Sequence, residues 1–266
     1  GAEDLKYAKM VAAHIGSDHH EVIVTEQEMI NAIPEVIKEI ESMDTTTVRA
    51  SVPNYLVSKY IKENTDCKVI FQGDGADEVC GSYIYLSKAP DASQFQEECK
   101  SLLNNIHLYD VLRADRTISC WGLEPRTPFL DKIFVNYYMS IYPTMKLHLK
   151  GNIEKFLLRK AFEDSYILPH EVLYRKKEAL SDGCSSKENS WHTIIQKHVE
   201  NCISDEDFIC HKNTYQHMPP QLKESLYYRR IFNKYYSHHC SAIKGFWLPK
   251  WNGDIIDPSA RILNSY

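Results

Sequence analysis

Between Phe71 and Tyr83 the sequence runs FQGDGADEVCGSY, which puts Asp74, Asp77 and Glu78 within one turn. Gly73 and Gly75 flank Asp74, and glycines so close together let a backbone turn sharply and approach a ligand. Crowded carboxylates repel one another, so such a turn suits a cation, most often magnesium bridging to phosphate. The same residues also suit the first turn of a helix, where Asp and Glu offset the positive end of the dipole. The turn by itself leaves both readings open.

Further stretches carry groups that recognise anions. Asp44-Thr45-Thr46-Thr47-Val48-Arg49-Ala50-Ser51 combines hydroxyls with a guanidinium, a set suited to phosphate or carboxylate, although threonine clusters also cap helices. Tyr174-Arg175-Lys176-Lys177-Glu178, followed by Ser181-Asp182-Gly183, sets three cations beside a turn, which a solvated basic face would also do. In Trp121 to Asp131, Pro125 and Pro128 hold the chain extended around Arg126, as a rigid connector would.

These groups need elements to position them. A helix is expected over 4–15, capped by Asp4, with Leu5, Ala8, Val11, Ala12 and Ile15 on one face and Gly16 as its stop. His20 to Val24 is a β-branched run that predicts a strand. Thr25 and Glu28 form a capping box ahead of a helix carrying Ile30, Ile33, Ile37 and Ile40, which Pro34 should start, bend or split. Another helix is expected over 54–64. Val69-Ile70-Phe71 is a short apolar run without alternation, as in a strand buried on both faces.

The order helix, strand, helix, helix, strand, acidic loop predicts a doubly wound α/β fold with a parallel sheet. Ligands bind such sheets beyond the carboxyl ends of the strands. From residue 90 onward almost no strand pattern remains. Helices are expected over 95–114, 133–140, 153–164 and 190–202, with a loop near Phe246 to Trp251 packed by its tryptophans. The chain therefore divides into an α/β part, 1–90, and a mainly helical part, 91–266.

With 266 residues, 43% of them hydrophobic, the chain can bury a substantial core. A net charge of −5 and the lack of a basic run speak against nucleic acid as a partner. No stretch is apolar for long enough to cross a bilayer. The eight cysteines are scattered without Cys-x-x-Cys pairs, which suits reduced thiols in a cytoplasmic protein. His19-His20 and His238-His239 are sequence neighbours and would face opposite ways in a strand, so neither pair is a natural metal site.

Taken together and in order, these blocks resemble the synthetase half of glutamine-dependent asparagine synthetases. FQGDGADEVCGSYIYLSKAP is similar to that family's SGEGSDE-type loop. DTTTVRAS, RADRTISCWGLEPRTPFLD, IEKFLLRKAF and YRKKEALSDG are similar to its other blocks, and the ending, WLPKW with DPSAR, looks animal-type. The resemblance runs from Asp4 to about Tyr266. It implies a sheet of the ATP-pyrophosphatase (adenine nucleotide alpha hydrolase-like) type, incomplete at its N-terminus. It also implies ATP and Mg2+ as cofactors, with aspartate activated as an aspartyl-adenylate and then attacked by ammonia derived from glutamine.

By motif, the resemblance puts Gln72 and Gly73 against the nucleotide through their backbone, and makes Asp74 the acid tied to adenylate chemistry. It gives Asp77 to magnesium on pyrophosphate and Lys177 to phosphate and developing charge, while Thr46 and Arg49 line the same pocket. Asp131 and Arg126 are expected to support the site structurally. Gln72 and Ala76 stand where serine is frequent, and Asp74 where glutamate is. The Ser-Gly-Gly-x-Asp-Ser loop that cradles pyrophosphate in this family does not occur in the sequence, nor does an N-terminal glutaminase domain. The expectation is a piece of a longer enzyme, inactive alone, whose partners are that glutaminase domain and small substrates, with a homodimer as one assembly. The alternatives are a non-catalytic remnant or scaffold of the same fold, or a related acyl-adenylating amidotransferase acting on another acid.

Overall fold

The computed structural model of the chain describes residues 2–147, 153–186 and 188–259. Helix α1 spans Glu3–Ile15 and stops at Gly16, whose φ of 67° is left-handed. Its cap position is Ala2, not Asp4; the Asp4 carboxylate instead accepts from Arg175 Nη2 at 2.6 Å. The run 20–24 is extended but is not a strand, since no described strand lies beside it to take its backbone hydrogen bonds.

Helix α2 (Glu26–Ile40) begins with the expected capping box: Glu28 N donates to Thr25 Oγ1 at 3.2 Å and Thr25 N to Glu28 Oε2 at 2.7 Å. Pro34 neither starts nor splits it. Buried side chains on both sides of the proline, Met29, Ile30 and Ile33 before and Val36, Ile37 and Ile40 after, hold the helix through the missing hydrogen bond. Helix α3 (Thr45–Asn64) likewise runs through Pro53 and starts well before Asn54. Asp44 caps it, accepting from Thr47 N at 2.9 Å, so the threonine-rich stretch forms the first turns of a helix.

Strand β1 (Val69–Phe71) pairs in parallel with β2 (Glu124–Arg126), Ile70 facing Pro125, and these are the only strands among the described residues. The extended proline segment around Arg126 is thus a sheet partner, which the sequence pattern did not reveal. Nor is β1 buried on both faces: Val69 is 46% and Phe71 76% exposed, because no further described strand and no second layer cover them. Between the strands lie α4 (Ala76–Cys80), α5 (Ala92–Asn105) and α6 (Asp110–Ser119). The helix expected over 95–114 is therefore broken by a 3-10 turn, Ile106–Leu108, where Asn104 and Asn105 are poor helix formers.

After β2 come α7 (Lys132–Ser140), α8 (Pro143–Lys146), α9 (Phe156–Phe162), α10 (His170–Leu173), α11 (Leu180–Gly183), α12 (Trp191–Cys202), α13 (Asp205–His211) and α14 (Lys223–Tyr236). Asp131 caps α7 by accepting from Ile133 N at 2.8 Å. The result is a mixed α/β fold, mostly helical around a small parallel sheet. Among the described residues no helix is long and apolar enough to cross a membrane.

The main core is helical. Ile33, Val36, Ile37 and Ile40 of α2 meet Val48 and Val52 of α3, Trp191 and Ile195 of α12, and Tyr228 and Phe232 of α14. Both this core and the strand pairing cross residue 90. Each isoleucine so buried contributes about 2 kcal/mol from apolar area alone. Ile37→Ala, at a fully enclosed position, should cost about 2–5 kcal/mol in urea unfolding, and a loss under about 1 kcal/mol would mean the core can collapse around the gap.

Candidate functional site

Beyond the carboxyl end of β1 the chain turns into α4. Gln72 N donates to Arg126 O at 3.0 Å, so the sheet uses this amide, while Gly73, whose carbonyl accepts from Ala76 N at 3.3 Å, has open space where a Cβ would project. Gly75 sits at φ 90° as the residue before α4, with the Leu130 side chain where a Cβ would project, so both conformation and space call for glycine.

Asp77, in the first turn of α4, meets cations from distant parts of the chain. Lys155 Nζ and the Ser82 hydroxyl both donate to its Oδ1, and Lys177 Nζ lies 3.7 Å from Oδ2. Burial would raise this carboxyl, but Lys177 and Lys155 overcome it and hold the group well below the usual carboxylate range. Asp77 and Lys177 are thus brought together as the sequence suggested. Lys177 also lies over the Tyr83 ring, 4.9 Å from its centre.

Asp74 faces a second network. Arg113 Nη2 donates to Asp74 Oδ1 at 2.8 Å and to Asp110 Oδ1 at 3.0 Å. The Tyr83 hydroxyl lies 2.7 Å from Glu78 Oε1 and 3.3 Å from Asp110 Oδ2. Burial raises the Asp74 carboxyl, opposed by Arg113 and reinforced by Asp110. Burial, with Asp110 and Asp77 nearby, pushes Glu78 up to about 8. The acidic turn therefore holds an ionised Asp77 beside a Glu78 that favours its neutral form.

Thr46 and Arg49 lie on the first turns of α3 and line a small cavity with Ser181 and His192. The Thr46 hydroxyl is buried without a hydrogen-bond partner among the described residues. Arg49 is committed elsewhere: Nε and Nη2 fork onto Glu224 at 2.8 and 2.6 Å, and Nη1 and Nη2 reach Asp257 at 2.8 and 3.2 Å. Four of its N–H bonds thus go to protein carboxylates. Arg126 is exposed and pairs with Glu124 on its own strand.

A cavity of about 650 Å³ opens at the end of β1, lined by Ile70 and Gln72, by Pro53 and Val57 of α3, and by Val22 and Val24. Its size falls within the range of small-molecule sites. Among the described residues no group of three or more His, Cys, Asp and Glu side chains is placed to hold a metal ion. Asp77 Oδ1 is taken and its Oδ2 has only the more distant Lys177. That fits a magnesium ion arriving on phosphate oxygens and sharing one carboxylate oxygen, not a cage of protein ligands.

Sequence reasoning missed Lys155, Arg113, Asp110, Glu224 and Asp257. Lys155 and Arg113 lie within the blocks IEKFLLRKAF and RADRTISCWGLEPRTPFLD, which carried the resemblance while neither of these two residues received a role. Lys155 also has a left-handed backbone, φ 58°, unusual for a residue with a side chain. Cys80 is buried beside Val79 and Tyr138, and burial pushes its thiol up to about 11, as befits packing.

Fold and site define a mixed α/β protein with an acidic, glycine-containing turn at the end of a parallel strand and two lysines directed at it. A family model described as asparagine synthase matches residues 1–98 and 87–255, and the chain belongs to that family. It is 49% identical over 263 residues to the glutamine-hydrolyzing asparagine synthetase of Gallus gallus, covering 99% of this chain and 46% of that one. The enzymes of the same name from Cricetulus griseus and Homo sapiens match at 49% and 48% over the same shares. The chain thus spans about half the length of the curated relatives it matches.

A carboxyl raised from 4.5 to about 8 on folding contributes stability that is complete below about pH 4.5 and is lost as pH rises toward 8. Glu78→Gln, always neutral and still able to hydrogen-bond Tyr83, should flatten that decline in denaturant titrations and exceed the parent in stability at pH 8. A slope unchanged by the substitution would show that Glu78 titrates normally.

Proposed function

We propose that this chain is the amide-forming part of a glutamine-dependent asparagine synthetase. In this reading ATP activates the side-chain carboxylate of aspartate as an aspartyl-adenylate, releasing pyrophosphate, and ammonia then displaces AMP. The observation that carries it is the Lys155–Asp77–Lys177 cluster at the end of β1 in a member of the asparagine synthase family. The names of the relatives support the same reaction.

Phosphoryl chemistry needs positive charge where negative charge collects. Lys177 and Lys155 supply it, and Asp77 keeps both ammonium groups aimed at the turn. Gly73 lets the nucleotide approach the backbone. Asp74, steadied by Arg113, is the acid tied to adenylate chemistry, and Thr46 offers its hydroxyl, unpartnered among the described residues, to a substrate oxygen. Magnesium, bound with ATP, would offset phosphate charge through Asp77 Oδ2. Gln72 serves the site from the wall of the larger cavity.

The reading extends to a doubly wound ATP-pyrophosphatase sheet, with 1–90 as its nucleotide-binding part and 91–266 as the mainly helical part. Ammonia is supplied by a glutaminase domain outside the segment described here. A cytoplasmic location accords with cysteines scattered without Cys-x-x-Cys pairs, and the assembly in this reading is a homodimer.

The test is aspartate-dependent pyrophosphate release from ATP by the protein that carries this chain, with asparagine formed once ammonia is added. Asp77→Ala should lower that release by about 100-fold or more, and Lys177→Ala should be similarly severe. Pyrophosphate release at the parent rate in Asp77→Ala would remove this carboxylate from the reaction. Release that ignores aspartate would replace aspartate with another acid as the substrate.

A further inference from the structure

The segment from Lys244 to Ser259 forms neither helix nor strand, yet it is held at points along its length. Trp247 N donates to Asp44 Oδ1 at 2.8 Å, the carboxylate that caps α3. The Trp247 ring packs 5.9 Å from the rings of both Tyr83 and Tyr85, and Lys250 Nζ reaches Glu98 Oε2 at 3.1 Å. At its far end Asp257 takes Arg49 Nη1 at 2.8 Å, lies 3.2 Å from His192 Nε2, and accepts from Ser259 N at 2.8 Å. The segment therefore crosses from the residues after the acidic turn to the first turns of α3.

We propose that Asp257 is the positioning residue of a C-terminal strap, and that Arg49 is the socket of this latch and not a ligand contact. Glu224, with no exposed surface, fixes the inner edge of the guanidinium through a bidentate fork. That fork leaves the outer edge pointing at the strap, where Asp257, itself 7% exposed, closes on it. Thr46 lies one turn before Arg49 on α3, and Pro258 and Ser259 wall the cavity that Thr46 shares with Arg49. Seating Asp257 thus fixes both the strap and the wall opposite the unpartnered Thr46 hydroxyl.

The link from the strap to substrate rests on the adenylating reading, whereas the latch itself does not. The experiment compares the parent with Asp257→Asn and Asp257→Glu by amide hydrogen exchange over 244–259, with the α2 core as internal reference, alongside kinetics for ATP. Asp257→Asn should speed exchange in the strap by about tenfold or more while α2 stays protected. Asp257→Glu, which restores the charge, should recover part of that protection. The KM for ATP in Asp257→Asn should rise by a larger factor than kcat falls.

Strap exchange at the parent rate in Asp257→Asn would overturn the latch. A released strap with unchanged KM would overturn the positioning role. A parent protein without aspartate-dependent pyrophosphate release would sink the adenylating reading, and the exchange comparison would then decide the latch by itself.

Discussion

A carboxylate withdrawn from water must find positive charge, and Asp77 meets that requirement with lysines that lie 78 residues and roughly 100 residues further along the chain. The desolvation of one side chain on a short helix thereby dictates where the loops carrying Lys155 and Lys177 must come to rest. The helices around them, α9, α10 and α11, are brief. Without the Asp77 charge, the two ammonium groups would repel each other across the end of β1.

The same logic recurs around Arg113 and Arg49, each of which bridges two carboxylates. Arg113 links the acidic turn to α6, and Arg49 links α3 to α14 and to the strap. Apolar packing of α2 against α3, α12 and α14 supplies the bulk of the stability, while these ionic joints fix how the site-bearing loops lie on it. The acidic turn combines opposite tendencies. Asp77 stays charged because cations face it, and Glu78, next in sequence, favours its proton because it is buried, with anions for neighbours.

Local signals in the sequence were reliable where a helix or turn is determined by its own residues. Thr25 and Glu28 cap α2, Gly16 ends α1, Val69 to Phe71 form a strand, and Trp247 and Trp251 pack the final loop, all as their residue types dictate. Prolines misled the reading, since Pro34 and Pro53 sit inside helices whose buried faces outweigh a missing hydrogen bond. Strands misled it further. His20 to Val24 has strand residues without a strand neighbour, whereas Glu124 to Arg126 has a proline at its centre and still pairs. Within the site, the resemblance named Asp77 and Lys177, whose charged ends lie 3.7 Å apart, but Arg49's commitment to Glu224 and Asp257 depends on contacts across most of the chain, which no local pattern encodes.

Pro125 gives the sheet a direction of growth. Glu124 N and Arg126 O bond toward β1, so the alternation of a strand turns the Pro125 nitrogen outward, where it carries no hydrogen to donate. The outer margin of β2 is therefore blunted against recruiting another polypeptide edge to edge. Any strand that joins this sheet must add beside β1, so the sheet can be extended on one side only, the side that carries the acidic turn.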